Sequence, residues 1–214
     1  MEPPAAITDK VNVTRTLFAI ILSLCFFMSG GEASAYKIRY AEQFYKLYHQ
    51  NFYMYPEDYN ENIWYLERAL SSDFVNPQNA LAEVNTPEEW ERYRYLFYMH
   101  VNLELIKQYR YLGAEYDKRV AYFYNYPWRD QNLESLRYAE SYYETALYYW
   151  DQALIWSDKA WEISYIELER AQYWADLNYR IEHYDLDYED ILLGDLERLE
   201  KVRENFLAMT EDTY

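Results

Sequence analysis

Residues 131–183 contain neither Gly nor Pro, so nothing obligatory stops a helix anywhere along that stretch. The same scarcity runs through the whole chain. It has 214 residues but only 4 Gly and 6 Pro, and beyond residue 35 these reduce to Gly113, Gly194, Pro56, Pro77, Pro87 and Pro127. Between these punctuation points lie runs of Glu, Leu, Ala, Arg and Tyr with few β-branched residues, which is helix composition. The pattern predicts an all-α fold of about 6 to 8 helices, arranged as stacked antiparallel hairpins.

Each breaker and cap sets a boundary. A first helix is expected over 36–55, ended by Pro56 because the residue before proline is pushed out of the α region. A second is expected over 57–70. Asn76 ahead of Pro77 places a cap before a proline at the first helical position, starting a short piece to Val84. The clearest start is Thr86, Pro87, Glu88 and Glu89, where threonine at the N-cap and glutamate at N3 make a capping box around a proline at N1. That helix is expected to reach Leu112 and break at Gly113, with another over 114–126. Asp130 is placed to cap the next. Residues 131–183 then form either one very long helix or two joined near Ser157 and Asp158. A last helix over 188–209 follows the acidic turn Asp185, Leu186, Asp187.

Within the long stretch Ala139, Ala146, Ala153 and Ala160 recur every seventh residue, and three positions on from each stand Tyr142, Tyr149, Trp156 and Ile163. Small side chains let a neighbouring helix approach while the large ones fill the space between. Tyr143 and Trp150 on one side, with Leu147, Leu154 and Trp161 on the other, widen the apolar arc. Only Glu144, Asp151 and Asp158, with Thr145, Gln152 and Lys159, form a polar strip. An arc this wide meets neighbours on more than one side, which favours a layered helical array over a two-stranded coiled coil. A faint internal repeat sets Phe52-Tyr53-Met54-Tyr55-Pro56 against Phe123-Tyr124-Asn125-Tyr126-Pro127.

A net charge of -17, spread along the chain, makes nucleic acid and anionic membrane surfaces poor partners. The 51% hydrophobic content is too high for intrinsic disorder. One Cys excludes an intramolecular disulfide framework and a Cys-rich zinc site. Residues 1–35 read as a signal peptide: Lys10 and Arg15 supply the positive region, 17–28 the apolar run, and Ala33-Ser34-Ala35 the cleavage site, so that the exported chain begins at Tyr36. The apolar run is short for a bilayer span, and an uncleaved anchor is the less favoured reading. Residues 36–214 are expected to be a single helical domain with no stable membrane span.

Tyr143, Ala146, Trp150, Ala153 and Leu154 are spaced like the second helix of a tetratricopeptide repeat, and Leu66, Ala69 and Leu70 give a shorter copy. In these positions the chain resembles tetratricopeptide-like repeat proteins. It departs from them in carrying Leu133 followed by Glu134 where the family's first helix has a Trp-Leu-Gly-like pattern, and Asp158 where a proline closes the repeat. In its general character, acidic, Tyr-rich and helical behind a leader, the chain also resembles the periplasmic scaffold and flagellar collar proteins of spirochaetes.

The chemistry-bearing residues are scattered. His49, His100 and His183 are far apart, and none has a second His or Cys at ligand spacing, so a surface or partly packed imidazole is the expected state of each. Asp185, Asp187, Glu189 and Asp190 resemble the start of a calcium loop, but Asp190 stands where such a loop needs glycine. No nucleophile elbow or phosphate loop is present. What stands out is Tyr122, Phe123, Tyr124, Tyr126 and Trp128, five large rings in seven residues that cannot all point to one side of a helix. They are packing between repeats or, where exposed, binding anchors; Tyr122, Tyr124, Tyr126 and Trp128 are the candidate binding residues. The resemblances imply an exported, periplasmic, non-enzymatic scaffold without cofactor or metal, which binds other proteins of an envelope assembly such as the periplasmic flagellar apparatus. A homo-oligomer is left open. The alternative is a soluble periplasmic component that binds a small ligand or cell-wall glycan through exposed aromatic residues.

Overall fold

A computed structural model describes residues 37–118 and 124–212. From Ile38 onward the described chain belongs to one unit. Its described residues form six α-helices and no strand: α1 (Ala41–Met54), α2 (Tyr59–Ser71), α3 (Pro87–Tyr116), α4 (Arg129–Glu162), α5 (Gln172–Glu182) and α6 (Tyr188–Leu207). The expected leader and the expected cleavage site lie outside the described residues. No described helix is long and apolar enough to cross a membrane.

The helix starts follow the local chemistry. Thr86 Oγ1 accepts from the Glu89 amide at 3.1 Å while Glu89 Oε2 accepts from the Thr86 amide at 3.3 Å, closing the expected box. Asp58 caps α2 through the Glu61 amide, and Asp187 caps α6 through the amides of Glu189 and Asp190. Asp187 thus acts as a helix cap, the ordinary use of a carboxylate at the positive end of the helix dipole. Asn76 caps only a 3₁₀ turn, Pro77–Asn79, shorter than the piece expected to Val84. Asp130 lies in the first turn of α4 rather than at its cap, which is Trp128.

Gly113 does not end a helix. α3 continues through it to Tyr116, and a Cβ there would lie 2.6 Å from the Tyr143 ring, so the glycine is a point of close approach between α3 and α4. The helix expected over 114–126 is absent from the described part of that range: α3 ends at Asp117, Lys118 takes φ 57°, and Tyr126–Trp128 is a 3₁₀ turn. Of the two arrangements open for 131–183, the structure has two helices, with the break after Glu162 rather than near Ser157. Arg92, on α3, explains that position. Its Nη1 donates to the carbonyl of Ile163 at 3.0 Å and also to those of Ser164 and Ile166, a cation seated on the carbonyl end of α4.

α3 and α4 run antiparallel and pack along most of their length. Tyr98 meets Trp156, Tyr109 meets Tyr149, and Tyr116 meets Tyr138 and Tyr142 as the two chains run past each other. α4 presents a strict three-four stripe to the core: Leu136, Ala139, Tyr143, Ala146, Trp150, Ala153, Ser157 and Ala160 are all buried. Glu144, Asp151 and Asp158 are exposed, as the polar strip requires. α3 is different. Residues 99–106 are buried without interruption, because α1, α2, α4, α5 and α6 all lie against it.

Candidate functional site

The aromatic cluster sits at the end of the bundle where the chain enters α4. Tyr122 and Phe123 lie outside the described residues. Tyr124 is 43% exposed and rests on Phe206 of α6, ring centroids 4.5 Å apart. Tyr126 is half-buried, with the Arg129 guanidinium 5.1 Å over its ring, and Trp128 is 42% exposed. The rings thus sit on a turn, where they can point in different directions, and two of the three described candidates keep open surface.

Beside them α4 and α6 enclose a groove of about 480 Å³. Asp130, Leu133, Arg137 and Glu140 line it from one face of α4, and Arg203 and Leu207 from the last turns of α6. Arg203 is held by Glu140 and Glu200. The lining is mixed: leucine side chains with two guanidiniums and two carboxylates, flanked by exposed Tyr and Trp. Such an arrangement suits a protein segment that offers an apolar anchor and paired charges.

A second cluster was not visible in the sequence as a cluster. His100, 2% exposed, shares a 2.8 Å hydrogen bond between its Nε2 and the Tyr45 hydroxyl, and Trp174 stacks on its ring. One turn on, Glu104 accepts from the Tyr48 hydroxyl at 2.8 Å and from Lys107 at 2.7 Å. Burial pushes the His100 imidazole down to about 4, so it is neutral at neutral pH. Burial alone would raise the Glu104 carboxyl, but the charge of His100 where acid protonates it, the Lys107 charge and the hydrogen bonds from Lys107 and Tyr48 outweigh it and hold the group below its usual value. With His100 uncharged above about pH 4, Lys107 is the counter-charge of Glu104 at neutral pH. The cluster pins α1 to the middle of α3. The signal for it was the spacing of His100, Glu104 and Lys107, which shares one helix face, together with Tyr45 and Tyr48 three apart on another helix. His100 is accordingly fully buried, where a surface or partly packed ring was expected. His49 and His183 are exposed, and His183 stacks on Tyr179.

A third cluster closes the far end of α3. Asp117 is fully buried and accepts from the Tyr143 hydroxyl of α4 at 2.7 Å and from Arg198 of α6. Arg110 pairs with Asp195 at 2.7 Å one turn of α6 away. Among the described residues no three His, Cys, Asp or Glu side chains are grouped to hold a metal ion.

No curated protein and no solved structure matches the chain. Residues 88–209, more than half of it, match the family model described as Domain of unknown function (DUF8513). The match runs from the first turn of α3 to just beyond α6 and leaves α1 and α2 outside. The chain therefore belongs to the DUF8513 family, whose model covers α3–α6 of this chain.

Proposed function

We propose that the protein is a non-enzymatic exported scaffold that binds other proteins within an envelope-associated assembly, the periplasmic flagellar apparatus being the one its sequence resemblance suggests. The observation that carries this reading is the end of the bundle at residues 124–130, where Tyr124 and Trp128 stand exposed beside the Arg137 and Arg203 groove. Tyr and Trp supply large contact area with few rotatable bonds, and they are the residues that anchor protein interfaces. The frame behind them is rigid, because α4 and α6 are joined by Glu140–Arg203 and by Trp150 against Tyr188. A tetratricopeptide-like use of stacked helices would present such a surface in the same way. The partner surface that complements a chain of charge -17 is neutral or basic.

The test is co-purification from the native envelope with Trp128→Ala as the control. The scaffold reading expects a defined set of partner proteins that Trp128→Ala loses without a change in melting temperature. Equal recovery with both forms would overturn this site, and an exported protein whose intact mass still includes Met1 would overturn the soluble, cleaved form.

A further inference from the structure

The elbow between α4 and α5 holds a second cleft, of about 300 Å³, at the opposite end of α4 from the aromatic turn. Its walls come from three places. The last turn of α4 contributes Trp161, the connection contributes Glu167, and α5 offers Gln172, Asp176 and Tyr179 at positions that share one helix face. Arg92 of α3 closes the floor.

The aromatic side is pre-assembled. Trp161 is 37% exposed and Tyr179 is 52% exposed, and their rings contact each other with centroids 6.2 Å apart. His183 backs both: it stacks on Tyr179 at 3.8 Å and meets Trp161 edge-on at 5.5 Å. Trp161 and Tyr179 meet edge-to-face, their planes 61° apart, and His183 covers one face of Tyr179, so the corner offers a single stacking face, the indole, with the phenol standing beside it at an angle. The polar side is equally fixed. Gln172 Nε2 donates to Asp176 Oδ1 at 2.8 Å, which orients both groups along the cleft. Arg92 is 5% exposed, and its Nε has no hydrogen-bond partner among the described residues while its Nη1 holds three carbonyls.

The backbone around the cleft is held in place. Asn178 Nδ2 donates to both the carbonyl and the hydroxyl of Ser157, and the Ser157 hydroxyl donates to Glu182 at 2.6 Å, so α5 is fastened to α4 one turn below the corner. A cleft whose walls do not have to be ordered on binding loses less free energy to the ligand's arrival.

These features select a ligand class. One cation, Arg92, faces two carboxylates, Glu167 and Asp176, so an anion gains nothing from entering. A purely apolar ligand would strip water from the carboxylates without replacing their hydrogen bonds. A ligand with one flat apolar face and a rim of hydroxyls meets both needs: the face lies on the Trp161 indole beside Tyr179, and the hydroxyls donate to the carboxylates and accept from the Gln172 amide. We propose that the α4–α5 elbow is a binding site for a neutral saccharide, stacked on Trp161 beside Tyr179 and hydrogen-bonded by Asp176, Glu167 and Gln172. The site is separate from the aromatic turn at residues 124–130, and it stands whether or not that turn binds proteins.

Isothermal titration and saturation-transfer NMR on the intact protein test it, with chitotriose, cellotriose and maltotriose as probes. At least one trisaccharide should bind saturably with a Kd of about 1 mM or tighter. Trp161→Ala should weaken that binding about tenfold or more, and Asp176→Asn, at an exposed position that leaves packing intact, by about three- to tenfold. Trp128→Ala, at the other end of α4, should bind as the wild type does. Absence of saturable binding by all three sugars would overturn the proposal. So would binding that survives both Trp161→Ala and Asp176→Asn, or that is lost in Trp128→Ala instead.

Discussion

α3 and α4 are nearly the same length, 30 and 34 residues, and they pack against each other, yet they are buried in different ways. α4 lies at the edge of the bundle and keeps one wet face, so its core residues fall on a single heptad stripe. α3 runs through the middle and is covered from every side between residues 99 and 106, so no stripe exists there to see. The polar residues differ accordingly. Those of α4 face water at Glu144, Asp151 and Asp158, whereas His100 and Glu104 of α3 are buried and hydrogen-bonded within the protein. A surface helix can be read from its period; a central helix is betrayed by polar side chains that need partners.

The largest test of this contrast is Phe97→Ala on α3. Phe97 is fully buried against the rings of Tyr45, Phe74 and Trp174, and its removal should cost about 3 to 5 kcal/mol in denaturant unfolding. A loss under about 1 kcal/mol would mean that α3 is not the centre.

The next effect is in pH. The folded His100 titrates near 4 and the unfolded ring near 6.5, so between these values the unfolded chain binds a proton that the folded one does not. Stability should therefore fall as pH drops from 6.5 toward 4, by about 3 kcal/mol from this residue. Glu104, held below its usual value, adds a loss of the same sign in acid, whereas Glu42, raised by burial, works in the opposite sense. Melting curves of His100→Gln against wild type isolate the His100 share: the variant should lose that part of the slope between pH 6.5 and 4 and keep the part due to His49, which burial also lowers.

On α4 the stripe and the strip should separate cleanly. Ala153→Leu should destabilise by about 1 to 3 kcal/mol through overpacking, and Asp151→Ala by no more than about 0.5 kcal/mol. Equal melting temperatures for the two would remove the seam. The smallest contrast reverses sign between two glycines. Gly113→Ala drives a methyl into the Tyr143 ring, which its hydroxyl bond to Asp117 keeps from moving, and should cost about 1 kcal/mol. Gly194→Ala meets nothing within 4 Å in the middle of α6 and should stabilise by about 0.5 to 1 kcal/mol.

These positions also show what the sequence made legible. The Thr86 box and the Ala139–Ala160 heptad could be read because each is set by neighbours within a turn or two along the chain. Gly113 reads from sequence as a helix end, because a glycine at a helix end and a glycine under a partner's ring look alike until Tyr143 is placed. The end of α4 could not be located because Arg92, which holds it, lies 71 residues away. The aromatic turn was legible as a site of exposed rings, but its groove needed Arg203 and Leu207 from α6. The elbow cleft left no local mark, since Trp161, Glu167 and Tyr179 share no motif.

Asp117 has a consequence for how the protein opens. One carboxylate ties the last turn of α3 to the middle of α4 through Tyr143 and to α6 through Arg198. None of the three can peel away without stranding a charge or a hydroxyl in the interior, so fraying of any one segment is expected to draw in the others. In native-state hydrogen exchange, the amides near Leu112, Tyr143 and Leu199 should therefore share one opening free energy and respond together to denaturant.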